Sequence, residues 1–312
     1  MRRHAASLML AALAVACAAS AVIMGWRIAG RVAERPLGGH ETAVLTAVGA
    51  SYLSPTTLTE VTGASIAVTD TITPVASTDY PGLAIWDVRT STVDTTTHQQ
   101  LEPMSRTVVF DRTTAELVNC CGGNINGDAF IPQAGIAGWA FPVGTRKQAY
   151  DVFDTVLDKQ EPVRYSGTEM IDGIAAYQFS QDITGAKAGL SALSSKDPEL
   201  YSVHRVYWVD PQTGMLIDMT ENEDLYLASP TTGAVVTHLF RADLHATPAS
   251  IAALASQDAR IRDEIAAGAN ARRALLAGAC LLALIAAGLI APGLLARGPG
   301  TGSLRRLLPG GQ

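Results

Sequence analysis

Residues 203–219, VHRVYWVDPQTGMLIDM, carry the reading that decides the fold. β-branched and aromatic residues fill 203–209, and a second apolar run occupies 215–219. Between them stands Asp210-Pro211-Gln212-Thr213-Gly214. Proline presets the first turn dihedral, and glycine accepts the positive φ that closes such a loop. The pattern predicts a β-hairpin. Related chemistry predicts three more. Residues 106–110 meet 117–119 through Asp111-Arg112-Thr113-Thr114, and 226–227 meet 234–236 through Ser229-Pro230-Thr231-Thr232-Gly233. Asp172-Gly173, between Ile171 and Ile174, is a strong two-residue hairpin signal.

Sequential hairpins build an antiparallel sheet with one face covered. The expected class is therefore α+β, mainly β, with short, threonine-rich strands whose alternation supports a curved sheet. Two helices are expected. Residues 149–157 would lie across the sheet, placing Asp151, Asp154 and Asp158 on one solvated helix face. A firmer helix starts at Thr247, a suitable N-cap, with Pro248 at its first position. Its stripe of Ile251, Leu254, Ile261 and Ile265 is expected to dock on the sheet, with Asp258 interrupting it.

The ends of the chain are uncharged. Residues 5–26 and 274–296 hold no charged side chain, and each is close to the ~20 residues needed to cross a hydrocarbon core. A retained anchor, a cleaved signal peptide and a lipoprotein leader are all readings of the first run. The anchor is favoured because apolar residues continue past Ala19-Ser20-Ala21 to Trp26. Arginines near the spans are equally shared, five on each side, so their count does not set orientation. The short basic head, with every acidic residue falling between Glu34 and Glu264, places the middle outside.

The expected organisation is a cytoplasmic head (1–4), a transmembrane helix (5–26) and an extracytoplasmic β-rich domain (27–246). A helical stalk (247–273), a second transmembrane helix (274–296) and a cytoplasmic tail (297–312) follow. This makes a two-pass plasma-membrane protein. The bilayer is its first partner, and a homo-oligomer is allowed. Residues 36–271 hold 28 acidic and 13 basic side chains, a formal charge near −15 against −6 for the whole chain. Such a domain repels nucleic acid.

Of four cysteines, Cys17 and Cys280 fall in the apolar runs and read as small apolar residues. Cys120 and Cys121 stand outside them, in Asn119-Cys120-Cys121-Gly122-Gly123. Exported compartments favour disulfides. The options are a bond between these neighbours, a bond to another chain, or free thiols, and the vicinal bond is the expectation. Neither a zinc pattern nor a calcium loop fits; Asn124-Ile125-Asn126-Gly127-Asp128 reads as a polar turn. His238, Asp243 and His245 are a candidate cluster that a strand and its exit loop explain equally well. Trp86, Trp139, Phe141, Tyr165, Tyr207 and Trp208 read as core. No nucleophile elbow, phosphate loop, zinc-protease or dinucleotide motif is present. Neither enzyme nor cofactor is expected.

Several motifs recur in one order: Phe110-Asp111-Arg112, Asn119-Cys120-Cys121-Gly122 and Phe141-Pro142-Val143-Gly144-Thr145, with Lys147 and Phe153-Asp154. Tyr165-Ser166-Gly167, Ile171-Asp172-Gly173, Tyr177, Phe179, Trp208-Val209-Asp210-Pro211 and Thr213-Gly214 follow. This order, between two apolar runs, resembles the actinobacterial envelope proteins of the PorA porin family, formerly a domain of unknown function. The resemblance implies a cell-envelope setting and carries no catalytic residues. The hairpins at 165–179 and 206–219 also resemble the curved half-barrel sheets of LolA-type lipoprotein carriers. That likeness implies a lipid or glycolipid held under the sheet. The resulting expectation is a non-enzymatic, anchored envelope protein that binds a lipid or an envelope partner. The alternatives are an oligomeric porin-like channel component and a thiol-redox protein acting through Cys120 and Cys121.

Overall fold

The computed structural model describes residues 41–75, 79–80, 82–101, 103–188 and 197–295, together with Ala16, Ala19, Ser20 and Ile23. The chain divides into two units, one of Gly30–Ile265 and the other of Met1–Ala29 with Ala266–Gln312. The first unit holds all the described strands.

The strands are β1 (Glu41–Leu53), β2 (Glu60–Val75), β3 (Leu83–Asp94), β4 (Met104–Asp111), β5 (Asn124–Ile125), β6 (Tyr150–Asp154), β7 (Lys159–Ile171), β8 (Ile174–Lys187), β9 (Glu199–Val209), β10 (Leu216–Ala228) and β11 (Val235–Ala246). They form one sheet in the order β5-β4-β3-β2-β1-β11-β10-β9-β8-β7-β6. Every pairing between these strands is antiparallel. The mainly β, antiparallel expectation holds. The strands are longer than expected, reaching 16 residues in β2.

Local turn chemistry sets the hairpins. Asp172 and Gly173 both take positive φ, 44° and 81°, and join β7 to β8. Asp210 organises the next turn: its carboxylate accepts Gln212 N at 2.9 Å, while its carbonyl accepts Gly214 N at 2.8 Å. Gly214 has φ +70°, and a Cβ there would stand 2.2 Å from the Phe141 carbonyl oxygen. Only glycine lets the 141–142 backbone lie on this turn. The turn after Asp111 also forms, and Val118 N donates to Val109 O at 2.8 Å, though the returning chain adds no full strand.

The expected helix at 149–157 is a correction: residues 150–154 form β6, paired with β7. Its Val152, Phe153 and Asp154 are all buried, so the spacing of Asp151, Asp154 and Asp158 marks no solvated helix face. Asp158 instead takes φ +52° in the following turn.

The sheet is open but curved. β4 and β6 lie near opposite ends of the strand order, yet the Arg106 guanidinium sits 4.9 Å from the Phe153 ring centre. Backbone bridges span the remaining gap, from Phe110 to Leu117, from Glu116 to Ile136 and from Ile136 to Val152. The inner face packs Trp86, Val108, Phe110, Phe179, Tyr207 and Val209 beneath Ile136, Ala140 and Phe141 of this crossing segment. Burying aromatic side chains of this size supplies much of the folding free energy.

α1 (Pro248–Leu295) follows β11. Thr247 caps it, its hydroxyl accepting Ser250 N at 3.2 Å, and Ser250 Oγ accepts Val44 N at 2.9 Å. Ile251, Ala255 and Ile261 pack on Ile174, Ala176, Met215 and Ile217 of the outer face, so the expected docking occurs. Among the described residues no helix is long and apolar enough to cross a membrane. The expected spans therefore lack structural support. Residues 5–26 lie outside the described ones apart from Ala16, Ala19, Ser20 and Ile23. Within 274–296, so do residue 296 and the side chains at 275, 282–283 and 286–295.

Candidate functional site

The inner face is polar at its centre. Gln181, Arg205 and Glu221 are register partners on β8, β9 and β10, so their side chains emerge side by side. Arg205 Nη1 donates to Asp154 Oδ2 at 2.6 Å and to Gln181 Oε1 at 3.0 Å, and Nε donates to Glu221 Oε1 at 2.7 Å. Nη2 donates to the Tyr201 hydroxyl. Asp154 is fully buried, and its second oxygen accepts Val156 N and Leu157 N, both at 2.9 Å. A carboxylate in such a place is tolerable only because a guanidinium and backbone donors satisfy it. Burial also pushes the Tyr201 and Tyr207 hydroxyls upward, so both stay neutral.

Glu223 lies on the same face of β10, two residues beyond Glu221, between its register partners Val203 and Ala242. Burial, followed by the charge of Glu221, pushes its carboxyl up to about 8. Glu223 is thus largely protonated at neutral pH. On β2, burial also raises the Asp70 carboxyl against hydrogen bonds from Thr90 and Trp139, with Glu221 adding to the rise. Asp70, Glu221 and Glu223 all keep partial solvent access. Glu223 is therefore the interior carboxyl that holds a proton near neutrality.

A second guanidinium closes the far side. Arg106 is 2% exposed, lies over Trp139 and Phe153, and donates from Nε to Gln133 Oε1 at 2.7 Å. Burial brings its pKa down to about 10 against the pull of Asp154. Gln133 connects this group to the cysteine loop. Its backbone N donates to Asn119 Oδ1 at 2.7 Å, and its carbonyl accepts Asn119 Nδ2 at 2.9 Å. In that loop the Cys120 and Cys121 sulfurs lie 2.18 Å apart, and Cys121 takes φ +59°.

The remaining candidates separate. His238 Nδ1 pairs with Asp224 at 2.7 Å, while His245 meets Asp243 at 3.4 Å. Asn124, Asn126 and Asp128 accept backbone N–H groups of Gly127, Ser105 and Phe130, which makes the stretch a polar turn. Among the described residues no three His, Cys, Asp or Glu side chains are grouped to hold a metal ion. Cys280 is exposed, and Cys17 lies outside the described residues. Of the aromatic residues, Trp86, Phe141 and Tyr207 are buried, and Trp139, Tyr165 and Trp208 are partly so.

The charged interior was missed from the sequence. Its one signal is Glu221 and Glu223 on a single strand face, flanked by Met219 and Leu225.

Replacing Glu223 with glutamine isolates its proton. A folded value raised from 4.5 toward 8 means that wild type loses stability as pH rises through that window. Urea unfolding is expected to show Glu223→Gln gaining on wild type across it, by roughly 1–3 kcal/mol after discounting for partial exposure. A gap that stays constant with pH contradicts this placement.

Comparison with known proteins bears on what this interior belongs to. The family described as Porin PorA matches over residues 6–289. A protein of Corynebacterium resistens named Porin PorA is 27% identical over 193 residues, which cover 42% of this chain and 46% of that relative. The match thus spans less than half of either chain. The family match spans nearly the whole sequence, including most of both uncharged runs and the charged sheet between them. The chain belongs to the porin PorA family.

Proposed function

We propose that this chain is a non-enzymatic envelope protein that forms an oligomeric, porin-like passage, with its β domain outside the plasma membrane. The family match over residues 6–289 carries this reading, because it covers both the sheet and the greater part of the apolar runs. In the proposal, residues 5–26 and 274–296 cross the bilayer, since runs of that length free of charge suit a hydrocarbon core. The sheet stays outside it. The outward side of β9, β10 and β11 bears His204, Asn222, Asp224, Arg241 and Asp243, whereas a lipid-facing barrel needs an apolar outer band. Two helices enclose no channel, so several copies are required.

The domain charge near −15 sets the expected selectivity, because an acidic vestibule concentrates cations and depletes anions. The polar interior argues against the lipid-binding expectation drawn from the sequence: Arg205, Asp154, Glu221, Glu223 and Asp70 stand where an acyl chain would need aliphatic walls. For Cys120 and Cys121 we propose a vicinal disulfide that stiffens the loop clamped by Asn119 and Gln133, not a redox centre.

Two measurements on the purified full chain test these statements. In planar lipid bilayers, stepwise conductance favouring potassium over chloride is expected, and its absence at all protein densities rejects the porin reading. Alkylation without reductant is expected to leave the peptide holding Cys120 and Cys121 unmodified and two mass units light; two alkyl groups on it reject the bond.

A further inference from the structure

A buried carboxyl pair lies on the opposite face of the sheet, where α1 meets the 210–214 turn. Asp258 has no exposed surface and sits on α1 between Ala255 and Ile261, which pack against the sheet. The Thr213 hydroxyl donates to its Oδ1. Arg262, one helical turn further on, places Nε 2.9 Å from Asp258 Oδ2 and 3.3 Å from Asp210 Oδ2. Asp210 is itself only 3% exposed. A single guanidinium, 29% exposed, thus faces two carboxyls that water scarcely reaches, and the site holds one unbalanced negative charge when both ionise.

We propose that Asp210, Asp258 and Arg262 form a proton-operated fastener between α1 and the β9–β10 turn. With one proton on the pair, the carboxyls share it and the helix is held. With none, they repel across a low-dielectric gap and this section of α1 loosens. The groups facing Asp258 are Asp210 and Thr213 from the turn and Arg262 from α1. Burial pushes the Asp258 carboxyl up to about 6. The Thr213 hydrogen bond opposes this, Asp210 adds to it, and Arg262 opposes it. The raised value sets the sign. The docked state binds the proton more tightly, so docking is strongest in mild acid and weakens as pH rises through the value of the pair. The device depends on no pore. On the proposed topology it would read the pH outside the cell.

Hydrogen exchange of the full chain in detergent tests it, following amides 252–262 after correction for intrinsic exchange. Wild type is expected to lose protection by up to about tenfold between pH 5 and pH 7.5, the part above pH 5 of the ~100-fold that two pKa units allow. Asp258→Asn leaves Asp210 as the one carboxyl facing Arg262, so the carboxyl–carboxyl repulsion is gone and equal protection is expected at both. Unchanged protection in wild type, or the same loss in Asp258→Asn, overturns the proposal. Should Asp258→Asn fail to fold, Thr213→Val replaces it. Removing that donor raises the Asp258 carboxyl, so the loss of protection must begin at higher pH, and an unmoved midpoint overturns the fastener.

Discussion

The contact between Arg205 and Asp154 is the constraint around which the domain is arranged. Asp154 ends β6, at one edge of the sheet, and Arg205 sits in the middle of β9. Joining them at 2.6 Å, with the carboxylate fully buried, requires β6 to fold over the inner face. Once there, β6 carries Phe153 to Arg106 of β4 and offers Val152 to Ile136, so the opposite ends of the sheet approach each other. A lone buried carboxylate costs several kcal/mol. The curl and the ion pair are therefore mutually dependent: neither is affordable in isolation.

That dependence gives the interior its character. Half-barrel sheets that hold acyl chains need an aliphatic hollow, whereas here Arg205 draws Glu221, Gln181 and Tyr201 around it, and burial, with Glu221 adding, raises the Glu223 and Asp70 carboxyls. Protons and cations are the species such a surface favours. This agrees with the acidic charge of the whole domain.

The parts legible in the sequence are those decided within a few residues. Asp172-Gly173, the Asp210–Gly214 turn and the Ser229–Gly233 turn fix their own backbone, so the β7–β8, β9–β10 and β10–β11 hairpins were readable. Thr247 and Pro248 announced the start of α1 equally well. Residues 149–157 misled because three aspartates at helical spacing imitate a solvated face. The residue that decides their conformation, Arg205, lies 51 positions away from Asp154. Asp258 misled in the same way. It looks like a fault in an apolar stripe, yet it is buried against a turn 45 positions earlier. Charged residues that are paired at long range carry no local mark of their burial. This is why the hairpins could be read and the interior could not.

The central claim, that β6 closes over the sheet through Arg205 and Asp154, is tested most directly by a double-mutant cycle in urea. Arg205→Met, Asp154→Leu and the double variant are compared with wild type at neutral pH. The account predicts single losses of about 3–5 kcal/mol that are strongly non-additive, with a coupling of at least about 2 kcal/mol. Losses that add to within about 0.5 kcal/mol would mean that the two side chains do not meet.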